Sequence, residues 1–126
     1  MKKLVLLLVL PMLLFGGCGA TYTQISQEEA MQMMRDESGY LIVDVRRPDE
    51  FAESHIAGAV NVPNESIEDE MPAELPDKDQ LLLIYCRSGN RSKEASQKLA
   101  EMGYTRVYEF GGINTWEGEI VSGGDE

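Results

Sequence analysis

The chain has 126 residues, with 11 Lys plus Arg against 22 Asp plus Glu and a formal charge of -11. That length suits one domain and excludes a repeat array or a multidomain machine. So acidic a surface repels a phosphate backbone, which excludes nucleic acid as an expected partner. Two cysteines and one histidine cannot fill a four-ligand Cys/His zinc site, so a structural metal is also unexpected.

Met1-Lys2-Lys3 is a basic n-region, and Leu4 to Phe15 is an apolar run broken only by Pro11. The run is short of the roughly 20 residues a spanning helix needs, so it reads as a signal h-region. Phe15-Gly16-Gly17-Cys18 then resembles the lipobox of bacterial lipoproteins, with Phe15 where that family usually has Leu. The resemblance implies cleavage before Cys18, lipidation of Cys18, and an extracytoplasmic protein anchored in the bacterial cell envelope. Gly19 is not the aspartate that retains Gram-negative lipoproteins at the inner membrane, so in such a cell the periplasmic face of the outer membrane is expected. With Cys18 lipidated, Cys86 is the one thiol left and no disulfide can form within the chain.

The expected boundaries are a signal peptide at 1–17, lipidated cysteine and tether at 18–21, one folded domain at 22–120 and a polar tail at 121–126. Tyr22 to Ile25 predicts a short strand, and Ser26-Gln27-Glu28-Glu29 has capping-box spacing ahead of a helix over Ala30, Met33 and Met34. Gly39 fits as its terminator. Tyr40 to Val45 is a β-branched apolar run of the kind buried on both faces of a sheet. Arg47-Pro48-Asp49-Glu50 predicts a short helix, and Ala59 to Pro63 another strand. From Asn64 to Gln80 the chain is acidic with two prolines, which predicts a loop holding a short helix near Ser66 to Met71. Leu81 to Tyr85 predicts the clearest buried strand, followed by a helix beginning near Arg91 and capped by Gly103. Arg106 to Glu109 predicts a last strand, Gly111-Gly112 a turn and Ile113 to Glu117 a short helix. Alternating strands and helices predict an α/β domain, with a mainly parallel sheet of about five strands and helices on both faces.

Cys86 falls where the most apolar strand turns into a helix, at the carboxyl edge of the sheet where open α/β folds place ligands. Successive backbone N–H groups, the positive end of a helix and the charges of Arg87 and Arg91 would favour thiolate, the nucleophilic form. Gly89 permits a tight turn there, and Ser88, Asn90 and Ser92 can cap amides or donate hydrogen bonds. The plainer alternatives are an inert buried thiol at Cys86, a carboxylate partner for Arg91 and a solvent-facing Arg87. Met31, Met33 and Met34 read as core filler.

Four ordered blocks resemble the rhodanese family of single-domain sulfurtransferases. They are Val43-Asp44-Val45-Arg46; Glu50-Phe51 with His55-Ile56-Ala57-Gly58-Ala59 and Asn61-Val62-Pro63; Cys86-Arg87-Ser88-Gly89-Asn90-Arg91-Ser92; and Gly111-Gly112-Ile113 with Trp116. Ser54 stands where the family commonly has Gly. The resemblance implies that Cys86 takes a sulfane sulfur from an anionic donor such as thiosulfate and passes it, as a persulfide, to a thiol or cyanide. It assigns donor binding to Arg87, Ser88, Gly89, Asn90, Arg91 and Ser92. Arg46 is expected to reach the donor anion, while Asp44 and His55 are expected to support the framework. No cofactor and no metal is implied.

Two rivals use the same cysteine. A phosphatase or arsenate reductase also holds one in an amide-lined loop, but the phosphatases resembling this fold place five residues between cysteine and arginine, and here four lie between Cys86 and Arg91. A membrane-tethered persulfide carrier or sensor, exchanging sulfur with a protein partner, would have the same residues and negligible turnover on small donors.

Overall fold

The computed structural model describes residues 20–123. The expected signal peptide at 1–17, Cys18, Gly19 and the tail end at 124–126 lie outside the described residues. The elements run β1 (Thr23–Gln24), α1 (Gln27–Asp36), β2 (Leu41–Asp44), α2 (Pro48–Glu53), β3 (His55–Ile56) and β4 (Val60–Asn61). They continue with β5 (Leu82–Cys86), α3 (Asn90–Glu101), β6 (Val107–Gly112) and β7 (Ile120–Val121).

Five strands form a wholly parallel sheet in the order β1-β6-β5-β2-β4, the α/β architecture expected from the alternating pattern. Each strand's period of two divides its side chains between two cores. Val43, Leu82, Ile84, Cys86 and Val107 face α3, where Ala95 and Leu99 meet them. Ile42, Leu83, Tyr85 and Phe110 face α1 and α2, which contribute Ala30 and Phe51. All five residues of β5 are buried because this strand is the middle of the sheet and is covered on both sides.

Local chemistry sets the helix ends. The Ser26 side chain accepts the Glu29 N–H while the Glu29 carboxylate accepts the Ser26 N–H, closing a capping box on α1. Pro48 sits in the first turn of α2, where its missing N–H costs nothing.

Four expectations are corrected. No helix covers Ser66 to Met71; a 3-10 turn spans Asn64–Ser66, and buried Ile67 and Leu75 then pin an otherwise irregular acidic stretch. Consecutive Glu68, Asp69 and Glu70 would crowd like charge on one helical turn. Gly111 and Gly112 belong to β6, which runs on far enough for Gly112 to pair with Cys86. The helix expected at Ile113 to Glu117 is a single 3-10 turn, Ile113–Thr115. Finally, Ile120–Val121 pairs antiparallel with His55–Ile56, so Val121 is part of the fold, and the Gly123 N–H donates to Ala52 O at 2.9 Å.

Candidate active site

Cys86 is the last residue of the central strand, with a free thiol and 1% exposure. A bulge between Ile84 and Cys86 interrupts the regular pairing with β6 just before the loop. Only Arg87, Ser88 and Gly89 separate the strand from α3, so the chain must reverse within three residues. Gly89 makes this turn with φ +113, a left-handed conformation disfavoured for a residue with a Cβ. Its N–H then points back at Cys86 Sγ, at 3.0 Å.

The remaining amides define the site's character. Among the described residues, the N–H groups of Ser88, Asn90, Arg91 and Ser92 donate to no protein acceptor, while the Gly89 N–H is spent on the sulfur. These are the orphan donors of a helix start, gathered beside the Cys86 thiol, and they suit an anion. The opposite wall is Gly112. A Cβ on Gly112 would lie 1.9 Å from Arg87 O and 2.7 Å from Ser88 N, so only glycine lets β6 lie against the loop. The Asn114 N–H donates to Arg87 O at 3.2 Å and fixes the same segment from the far side.

Arg87, Ser88 and Asn90 are exposed at the loop mouth. Arg91 is engaged: Nη1 and Nη2 lie 2.8 and 3.3 Å from the two oxygens of Glu50 on α2. Glu50 Oε1 also accepts the Arg47 N–H at 3.0 Å. The Arg91 hydrogen bonds outweigh partial burial and hold the Glu50 carboxyl down at about 2, and the same bonds raise Arg91. Arg91 therefore joins the first turns of α2 and α3, and its charge is largely neutralised before any ligand arrives.

Two side chains expected to meet the donor face inward. Arg46 is 3% exposed; Nε and Nη2 bind Asp44 at 2.7 to 3.1 Å, and Nη2 also donates to Ser54 O at 2.6 Å. Burial works against its charge, but the Asp44 bond and charge win and raise it. Ser92 is fully buried, and its hydroxyl lies 2.5 Å from Glu109 Oε2 and 3.1 Å from Gly89 O. Each is fixed by buried partners, so neither is placed to receive an anion from the loop mouth.

Asp44 anchors a second buried network. Beyond Arg46, it accepts the Tyr85 hydroxyl proton at 2.6 Å, and the Tyr85 oxygen accepts the Ile56 N–H at 3.0 Å. Burial and the Asp44 charge push the Tyr85 hydroxyl far up, so it stays a donor. His55 is fully buried, stacks on Phe51 with ring centroids 3.8 Å apart, and has Nδ1 2.9 Å from Phe51 O. That geometry suits a packed framework ring. Among the described residues no group of three or more His, Cys, Asp or Glu side chains is arranged to hold a metal ion.

Neither Glu109 nor Glu50 is marked out by the sequence as a site residue. The signal for Glu109 was available: it shares the inward parity of Val107 on β6, and an acidic residue at an inward strand position calls for a reason.

The fold and the site together define a parallel α/β domain whose central strand delivers a cysteine into an amide-lined turn. Residues 26–119 match the rhodanese-like domain, and the chain belongs to that family. Among curated proteins it is 37% identical over 71 residues to the thiosulfate sulfurtransferase PspE of Escherichia coli, covering 56% of this chain and 68% of that one. It is 40% identical over 94 residues to a sulfurtransferase of Allochromatium vinosum, covering 74% and 86%. Of solved structures, a rhodanese with anions from E. coli superposes with a TM-score of 0.61 at 33% identity, covering 67% of this chain and 99% of that one. A rhodanese-like domain protein from Staphylococcus aureus gives a TM-score of 0.68 at 27% identity, covering 79% and 97%.

Proposed function

We propose that the protein is a sulfurtransferase that moves sulfane sulfur from thiosulfate, or a similar small anion, to a thiol or cyanide through a persulfide on Cys86. The observation that carries this reading is Cys86 Sγ at the end of the central strand, 3.0 Å from the Gly89 N–H, beside helix-start amides with no protein acceptor among the described residues. The Cys86 thiolate attacks the outer sulfur of thiosulfate; the sulfur–sulfur bond to the sulfonate breaks, and its electron pair leaves with sulfite. The resulting Cys86 persulfide is an anion one atom longer than the thiolate, and the loop amides are the donors that stabilise it. Cyanide then attacks the terminal sulfur, releasing thiocyanate and returning the thiolate; a thiol acceptor leaves as its own persulfide. The two halves make a ping-pong cycle.

Within this reading, the backbone N–H groups and the exposed Arg87 receive the donor's charge, and Ser88 and Asn90 flank it. Arg91 acts mainly through its grip on Glu50. That pairing also weighs against phosphoryl chemistry, where the loop arginine would have to offer both its donors to the transferring group. Steady-state turnover of thiosulfate and cyanide should obey ping-pong kinetics in the wild type and vanish in Cys86→Ser with an unchanged far-ultraviolet spectrum. A folded wild type that hydrolyses an aryl phosphate and produces no thiocyanate would favour the phosphatase reading. Persulfide formation with negligible turnover on cyanide or small thiols would favour a carrier serving a protein partner.

Export and lipidation are part of the same proposal, supported by the lipobox-like Phe15-Gly16-Gly17-Cys18 after a short h-region. Membrane fractions of the native cell should contain the chain with a diacylglyceryl-modified Cys18 at its N-terminus. Unlipidated protein in the soluble fraction would overturn this part alone.

A further inference from the structure

Glu109 is a fully buried carboxylate on β6, opposite Ile84 of the central strand and on the α3 side of the sheet that Cys86 also faces. One oxygen, Oε2, takes both of its hydrogen bonds: from the Ser92 hydroxyl at 2.5 Å and from the Gly111 N–H at 2.9 Å. The other, Oε1, is buried with no hydrogen-bond partner among the described residues. A half-satisfied carboxylate in an apolar core is destabilising, and a leucine of similar size would suit the place better. Residues that break the packing rules in this way concentrate where function requires them.

Its two partners are the two sides of the Cys86 loop. Ser92 lies in the first turn of α3, whose amides face the site, and its hydroxyl also lies against Gly89 O. Gly111 precedes Gly112, the residue packed on Arg87 and Ser88, and its Cα is 3.8 Å from where a Gly89 Cβ would stand. A single carboxylate oxygen therefore ties the helix start to the strand end across the turn that presents the Gly89 N–H to sulfur. We infer that Glu109 is a positioning residue for Cys86, acting through Ser92 and Gly111 to hold the loop in one geometry around the reactive sulfur. The inference rests on the sulfur-transfer reading for its chemistry, and its test has a readout that does not.

That readout is the rate at which iodoacetamide alkylates Cys86 in the full-length protein, followed across the range where a thiol titrates, alongside single-turnover persulfide formation from thiosulfate and thermal unfolding. Glu109→Leu should fold with a thermal midpoint equal to or above that of the wild type, show a displaced alkylation profile, and form persulfide about tenfold more slowly or worse, with the loss in the rate at saturation and not in KM. Glu109→Gln, whose amide oxygen can still accept from Gly111 and Ser92, should recover most of the rate. Wild-type profile and rate in Glu109→Leu would overturn the inference, as would a Glu109→Gln variant as slow as Glu109→Leu. Should Glu109→Leu fail to fold, Ser92→Ala cuts the same tie on one side: slowed alkylation supports the inference and an unchanged profile overturns it. A wild type that gains no sulfur from thiosulfate contradicts the sulfur-transfer reading alone, because alkylation still reports the loop.

Discussion

At Gly112 one added methyl group would strike the loop backbone. The nearest atoms are Arg87 O at 1.9 Å and Arg87 C at 2.3 Å, and backbone cannot rotate aside as a side chain can. Gly112→Ala should therefore destabilise the fold by about 1–3 kcal/mol, as overpacking does, and slow chemistry at Cys86 by shifting Arg87 and Ser88. Denaturant midpoints and turnover measured together check this; a variant unchanged in both would contradict the contact. Glu50 gives a prediction with a sign. Its carboxyl is lowered from 4.5 to about 2 by Arg91, so the folded chain prefers the ionised form. The stabilisation is complete above about pH 4.5 and is lost as pH falls through about 2. Wild-type stability should accordingly decline more steeply over that window than that of Glu50→Gln, by about 1 kcal/mol once solvent screening is allowed for. Chemical denaturation at stepped pH reads the difference, and parallel curves would show that the pair contributes nothing.

At the scale of elements, α1 tests how much a local motif contributes. Ser26→Ala removes the acceptor for the Glu29 N–H and should cost about 1 kcal/mol in thermal or denaturant unfolding, whereas Ser26→Asp should keep nearly all of it. Loss of stability in both variants would show that the capping hydrogen bond is not what Ser26 supplies. The same motif shows why some elements were legible from sequence. Ser26 and Glu29 mark a helix start by chemistry internal to four residues, and Leu82 to Tyr85 mark a central strand by an unbroken apolar run. The pairing of His55–Ile56 with Ile120–Val121 was not legible, because two-residue strands carry no periodicity and the partners are far apart in sequence. Gly111-Gly112 looked like a turn for a related reason: glycine usually marks a break, and here it marks a close approach that only the partner strand explains. The inward turn of Arg46 and the capture of Arg91 by Glu50 were equally hidden. Sequence shows a charge near a cysteine but not which carboxylate the fold brings to it first.

Across the whole molecule, an acidic chain gathers the unengaged amides of a helix start around Cys86. The formal charge is -11, and among the groups at the loop mouth Arg91 is matched by Glu50, so under the proposed sulfur transfer the backbone amides and Arg87 would be what draws a donor anion in. That division of labour follows from the topology. The parallel order β1-β6-β5-β2-β4 puts β5 in the middle, its carboxyl end opens onto the start of α3, and Cys86 stands at the junction. The most direct measurement is the intact mass of the wild-type protein after incubation with thiosulfate. One added sulfur, about 32 Da, that cyanide removes and that Cys86→Ser never acquires is the predicted result for covalent transfer. An unchanged mass in a folded protein whose Cys86 still reacts with an alkylating agent would contradict sulfur transfer from thiosulfate.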